Sequence, residues 1–384
     1  MQRKEMKNNW QIKKLNEICD KGSSNISQNQ LTKEEGIYPI YGAGGLIKDI
    51  SFFQQDKDYI SIIKDGAGIG RVSLLPAKSS VIGTLQYIIP KYNINLKFLY
   101  YIMNSFDFSK YKNGATIPHI YFREYSNEQF VIPPLPEQKR IVKVLDDVFS
   151  KVEIAKNNAE KNLQNSKALF ESCLQSIFAK KGKDWENKLL GEIATFRNGM
   201  NFTKKSKGET IKIVGVRDFQ KSFWVPFENL ETVIIDGELN EIDLLKKDDI
   251  LAVRSNGNPE LIGRTLLSGD LKEKVSHSGF TIRIRLNLKN IYSPYLCHYL
   301  KSQKVRKELI KSGTGINIKS LNQVALSSLL VSFPKSLVEQ KSIVKKLDAL
   351  SEQTKKLEVI YKQKLADLEE LKKSLLKKAF SGEL

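Results

Sequence analysis

Residues 137–178 and 339–380 are two copies of one segment, related by a constant offset of 202 with no residue gained or lost between them. Glu137-Gln138-Lys139-Arg140-Ile141-Val142 aligns with Glu339-Gln340-Lys341-Ser342-Ile343-Val344, and Phe178 still matches Phe380 at the far end. At seven-residue spacing the first copy puts Ile141, Leu145, Val148, Val152, Ala155, Ala159, Leu169 and Cys173 on one seam. The second puts Ile343, Leu347, Leu350, Thr354, Leu357, Tyr361, Leu368, Leu371 and Leu375 there. Apolar residues at this spacing, with Lys, Glu, Gln and Asn elsewhere and no Gly or Pro inside either run, predict two long coiled-coil helices. At 1.5 Å per residue each is a rod of roughly 63 Å. Loops change length cheaply whereas a packed seam does not, so equal rods point to a separation under constraint.

The rest of the chain repeats less strictly. Trp10–Ile18 recurs as Trp185–Ile193 at an offset of 175, Ile63-Lys64 as Val253-Arg254 at 190, Gly70-Arg71 as Gly263-Arg264 at 193, and Gly114 as Gly313 at 199. The chain is therefore a tandem duplication whose globular halves have diverged. Short apolar and β-branched runs such as Tyr59–Ile63, Val81–Pro90, Ile211–Val216, Asp249–Val253 and Phe280–Leu286, broken by Gly, Asn and Asp, make each half mostly β. One helix interrupts each half, over Leu96–Phe106 and Pro294–Leu309, and prolines at 133, 134, 136 and 334 mark the exits into the long helices. The expected class is α+β, with domains over 1–136 and 181–338 and long helices over 137–180 and 339–384.

A formal charge of +19, spread over every region, is consistent with a polyanionic partner, most often nucleic acid. Solvated lysines alone would produce much of that excess. The three cysteines, Cys19, Cys173 and Cys297, lack metal-ligand or redox spacing and imply a reducing compartment. The start MQRKEMKNNW has no apolar leader core and no run of 18 apolar residues occurs, so the expectation is a soluble, cytoplasmic protein with no membrane partner.

Several stretches together resemble the specificity subunits of type I restriction-modification systems. They are Pro133-Pro134-Leu135-Pro136-Glu137-Gln138-Lys139-Arg140-Ile141-Val142, its degenerate copy Leu337–Val344, the ending Leu375–Leu384, Tyr38-Pro39-Ile40-Tyr41-Gly42, and the Asn113-Gly114-Ala115-Thr116-Ile117-Pro118 turn. The resemblance covers essentially the whole chain. It implies two target recognition domains separated by two antiparallel helices forming a coiled coil, each domain reading half of a bipartite double-stranded DNA sequence. It also implies two docked methyltransferase subunits that methylate adenine N6 with S-adenosylmethionine, and restriction or translocating subunits using ATP and Mg as a further partner class; no cofactor is expected in this chain. The second half departs from the pattern, with Phe333–Val338 in place of Pro-Pro-Leu-Pro and about 27 extra residues.

Arg and Lys read guanine edges and grip phosphates, so basic residues beside glycine loops at matching places are the first DNA-binding candidates: Lys64 with Arg254, and Arg71 with Arg264. Lys112, His119 and Arg123 flank the turn at 113–118, with Lys311, Asn317 and Lys319 in the matching region of the second half. Tyr41, Arg217, Lys221, Arg283 and Arg285 complete the set, the last two placed by alternation on one face of their strand. For each, the plainer alternative is a solvated or structural residue. Asp65–Gly70 lacks the GxxxxGK[ST] pattern of a phosphate loop, no Asn-Pro-Pro-aromatic segment of an amino-methyltransferase occurs, and His119, His277 and His298 lack metal-ligand spacing. These absences argue against one alternative to a non-catalytic DNA-reading scaffold, a self-contained DNA-modifying enzyme; the other alternative, a structural coiled-coil adaptor, would show absent or salt-independent duplex binding.

Overall fold

The computed structural model describes residues 9–180, 182–219, 222–312 and 319–384. Contacts group the chain into two compact units. One comprises the residues up to Glu160 together with Lys362–Leu384, and the other Lys161–Tyr361. The first unit joins two stretches of chain and the second is one continuous stretch, yet each takes the beginning of one long helix and the end of the other.

In the first unit the order is β1 Gln11–Lys14, α1 Leu15–Ile18, β2 Cys19–Ser23, β3 Tyr38–Gly42, β4 Gly45–Ile50, β5 Tyr59–Ile63, β6 Val72–Leu75, β7 Ser80–Val81, β8 Leu85–Pro90, α2 Leu96–Asn104, α3 Phe122–Tyr125 and β9 Gln129–Ile132, before the long helix α4 Leu135–Ala179. Strands β2-β8-β5-β6 form an antiparallel sheet, with Ile60 opposite Ile88 and Ile62 opposite Val72. A second sheet, β4-β3-β7, pairs β3 with β7 in parallel. All five residues of β5 are buried, as expected for the central strand of a sheet covered on both faces. One face packs against α2 through Phe98, Leu99 and Ile102, and that core also receives Ile141 and Leu145 of α4.

The second unit repeats this plan with β10 Trp185–Leu189, α5 Leu190–Ile193, β11 Ala194–Asn198, β12 Thr210–Val214, β13 Glu231–Ile234, β14 Ile250–Val253, β15 Ser255–Asn256, β16 Thr265–Leu267, β17 Val275–His277, β18 Thr281–Leu286, α6 Ser293–Lys301, α7 Gln303–Ser312, β19 Lys319–Ser320, α8 Gln323–Ser327 and β20 Leu330–Pro334, then α9 Leu337–Phe380. Its sheets, β11-β18-β14-β16 and β13-β12-β17, have the order of the first pair, again with one parallel pairing, β12 with β17. Where the sequence predicts one helix over Pro294–Leu309, the chain breaks at the buried Ser302, which takes extended backbone (φ −61°, ψ 142°) and separates α6 from α7.

Leu376 and Ala379 of α9 enter the core of the first unit beside Ile141 and Leu145, and Lys156 pairs with Glu369 at 3.1 Å while Arg140 donates to the carbonyl of Leu384 at 2.8 Å. Rising numbers on α4 meet falling numbers on α9, so the two helices run antiparallel there. In the second unit Leu174 and Phe178 share a core with Val344 and Leu347. Two of the seam residues, Leu169 and its offset partner Leu371, are exposed at 49% and 43%. Burial on α4 follows the seven-residue steps Leu145, Val152, Ala159 and Ser166 and then moves by eight to Leu174, so the row that carries Leu169 lies off the buried stripe. Among the described residues no helix is long and apolar enough to cross a membrane.

Candidate nucleic-acid interface

In the first unit, three glycine-bearing stretches far apart in sequence converge at the end of β5. Lys64 and Asp65 leave the strand with their amides bonded to the carbonyl of Thr84, the amide of Gly66 donates to Pro118, and Ile120 donates to the carbonyl of Lys64 at 2.9 Å. Thus the 113–118 turn is stitched onto the 64–71 loop. The loop closes where Gly70 donates to Ile63 and Ile63 to Arg71. Gly70 has φ +80°, and a Cβ there would lie 2.6 Å from the Cβ of Phe108, so both backbone and space demand glycine. Arg71 then donates from Nη1 to the carbonyl of Ala43 at 3.2 Å, bringing in the Tyr41–Gly45 stretch. Tyr41, Ala43 and Arg71 line a cavity of about 200 Å³.

The second unit makes the same backbone frame from different residues. Arg254 and Ser255 donate to the carbonyl of Phe280, Leu321 donates to Arg254 at 2.7 Å, and Gly263 and Val253 close the loop through Val253 and Arg264. Gly263 also takes a positive φ, +70°. Hence Lys64 and Arg254, and Arg71 and Arg264, occupy equivalent places in the two frames. The residue opposite Asp65 is His119, whereas the residue opposite Ser255 is Ser320. A groove of about 360 Å³ lies beside this second frame, lined by Arg217, Asn256 and Phe280 among others.

Side chains differ between the two frames. In the first unit Asp65 lies 2.7 Å from His119 Nδ1 and pairs with Lys64 at 3.5 Å, so a carboxylate sits between the lysine and the imidazole. Lys112 is exposed beside the turn. Tyr121, which sequence reasoning missed, is 45% exposed, stacks on His119 and carries the Arg123 guanidinium 5.1 Å from its ring centre. The signal was available in His119-Ile120-Tyr121, whose alternation puts the two polar-tipped residues on one side, with Arg123 following in the first turn of α3. In the second unit Arg254 is half-buried and donates to the carbonyl of Gly279, and Arg217 is exposed but paired with Glu231 at 3.3 Å. Lys311 is exposed near the end of α7. Lys221 and Asn317 lie outside the described residues, and for Lys319 only the backbone pairing with Asn256 is described.

Arg283 and Arg285 do share a face, but it is an internal one. Arg283 is 5% exposed and donates to the carbonyls of Ile242 and Leu244, and Arg285 grips Asp249 through two bonds of 2.7 Å. Burial lowers the Arg283 pKa, with the neighbouring Arg285 charge adding to the effect. Alternation predicts a shared face and cannot say whether a loop covers it. Here the segment around Ile242–Leu244 does. Among the described residues no group of three or more His, Cys, Asp or Glu side chains could hold a metal ion.

Comparison with known proteins agrees with the duplication. A family model described as the type I restriction modification DNA specificity domain matches residues 7–164 and again 182–369. The type I restriction enzyme StySPI specificity subunit of Salmonella potsdam is 28% identical over 286 residues, 71% of this chain and 61% of that protein. The MjaVIII specificity subunit of Methanocaldococcus jannaschii is 26% identical over 353 residues, 85% of this chain and 79% of its own. This chain thus spans about three fifths of the Salmonella relative. Among solved structures, a chain from work on complex assembly and conformational transition of the type I R-M system superposes with a TM-score of 0.76 at 16% identity, covering 99% of this chain and all of that one. The HsdS subunit from Thermoanaerobacter tengcongensis gives 0.59 at 17% identity, covering 100% and 99%. These last two likenesses speak to the fold.

Proposed function

Since the chain belongs to the type I restriction modification DNA specificity domain family, we propose that it is the DNA-reading subunit of a type I restriction-modification complex. Each unit reads one half of a bipartite duplex target. The chain itself catalyses nothing: it docks two methyltransferase subunits that methylate adenine N6, and restriction subunits where the system has them. S-adenosylmethionine, ATP and Mg belong to those partners.

The observation that carries this reading is the repeated backbone frame holding unlike side chains. One frame presents Lys64, Asp65, Arg71 and His119, the other Arg254, Ser255, Arg264 and Ser320. A common scaffold places the readers, and the side chains on it decide which base edges are matched. Two such frames on one chain specify two different half-sites. Mapping methylated adenines in the host genome with the locus intact and deleted tests it: a bipartite motif should vanish on deletion, and an unchanged methylation pattern would reject the proposal.

A further inference from the structure

Arg264 and Arg306 converge on one backbone oxygen in the second unit. Arg264, just past the glycine turn, donates from Nε to the carbonyl of Glu260 at 3.2 Å, and Arg306, in the first turn of α7, donates from Nη2 to that same carbonyl at 2.6 Å. The Nε of Arg306 is buried and has no partner. Lys301 lies nearby, 5.4 Å from the centre of the Phe223 ring and 3.5 Å from the carbonyl of Ser222. Burial first, and then the Arg264 charge, lower the pKa of Arg306, while the carboxylates of Glu260 and Glu171 oppose this from exposed positions. Lys301 is lowered by burial and by Arg306 and Arg264. Among the described residues no carboxylate closes an ion pair on any of these three cations.

A guanidinium carries five donors in a planar fork, so one shared neutral acceptor leaves most of both forks free to meet an anion. Two cations held this close repel each other, and an anion placed between them relieves that repulsion. Among the described residues the first unit shows no such pair. There Arg71 occupies the place of Arg264, but the segment that packs on the loop glycine is a single turn, Phe108–Tyr111, with Phe108 against Gly70 where α7 puts Leu309 against Gly263.

We infer that Arg264 and Arg306 form a clamp for a DNA backbone phosphate in the second unit, holding the duplex against the 255–263 loop independently of base sequence. This rests on the DNA-reading function proposed above. The clamp sets register for the second half-site, while the first half-site depends on base contacts and single cations.

The test is the salt dependence of binding of the full chain to a mixed-sequence DNA duplex, followed by fluorescence anisotropy. Each neutralised phosphate contact lowers the slope of log affinity against log salt by about 0.9. Arg306→Gln with Arg264→Gln should therefore flatten the slope by about 0.9, Arg306→Gln alone by part of that, and Arg306→Lys should keep most of the wild-type slope. A slope unchanged in the double variant, with melting temperature retained, overturns the clamp while leaving DNA reading intact. A slope unchanged with a lowered melting temperature assigns the pair a structural role and equally overturns it. Wild-type chain that shows no salt-dependent duplex binding removes the underlying function as well.

Discussion

The side-chain amide of Gln340 donates to the carbonyl of Asn290 at 2.9 Å, across fifty residues of sequence. It donates also to Pro334 at 2.8 Å and accepts from the amide of Tyr292 at 2.8 Å, and the side chain is fully buried. Gln138, 202 positions earlier, makes the same three bonds to Asn93, Pro133 and Asn95. One buried amide in each unit ties the exit proline, the loop before the head's helix and the first turn of a long helix into one junction. Only a side chain with both a donor and an acceptor can satisfy that set.

Gln340→Ala should leave two buried carbonyls and one amide unpaired. At about 1–3 kcal/mol for each buried group left unsatisfied, partly offset by water entering, the loss should be about 3 kcal/mol. Gln340→Glu replaces the donor with an acceptor facing two carbonyls and should be worse at neutral pH than in acid, where a protonated carboxyl restores one donor. Chemical denaturation of the two variants checks this; a loss under about 0.5 kcal/mol for Gln340→Ala would show the junction to be held by packing instead.

Acidification should weaken the second unit through His277. The ring is 1% exposed with Nδ1 beside the hydroxyl of Thr281, and burial, reinforced by Arg283, Arg197 and Arg285 and opposed by Asp243, drops its pKa from 6.5 to about 3. Above 6.5 it is neutral folded or unfolded and adds no pH dependence. Between about 6.5 and about 3 the unfolded chain binds a proton that the folded one refuses, so stability falls as pH falls, by up to about 1.4 kcal/mol per unit. His277→Gln should flatten that slope relative to wild type in denaturation curves between these limits. Identical slopes would mean that the folded ring titrates normally.

Gly70→Ala should cost more than Gly263→Ala. Both positions take positive φ, which strains any other residue by about 1–3 kcal/mol. The added methyl at 70 meets the Cβ of Phe108 at 2.6 Å, whereas at 263 it meets the Leu309 side chain at 3.1 Å, where a small shift relieves it. In cells the first substitution should blur one half-site of the methylated motif and leave the other sharp. Equal melting-temperature losses for the two would contradict the ranking.

The duplication, the strand-rich heads and the paired helices were legible in the sequence because each depends on local periodicity or on self-similarity. The convergence of the 41–45, 64–71 and 113–118 stretches was not, since hydrogen bonds such as Gly66 to Pro118 join residues that no pattern links. Arg283 and Arg285 show the same limit from the other side: their alternation was readable, the loop carbonyls that bury them were not. Gln138 and Gln340 stood in plain view as part of a repeated motif, yet a polar residue at a helix start reads as solvated until its three partners are known. Leu169 and Leu371 share a row that is off the buried stripe at the same step of both copies, which periodicity alone does not reveal.

Lengthening both long helices by seven residues, after Glu160 and after Tyr361, should leave each half-site sequence unchanged and widen the gap between them. Seven residues preserve the direction of the apolar stripe to within about 20° and add about 10 Å of helix, or roughly three base pairs at 3.4 Å each. Lengthening only one helix should instead abolish specific methylation, because the shared seam of α4 and α9 can no longer stay in register along its length. Replacing residues 21–130 with the corresponding segment of another family member should change one half-site alone. Methylated-adenine mapping reads all three variants; a gap that stays constant when both helices grow would mean that something other than these helices sets the spacing.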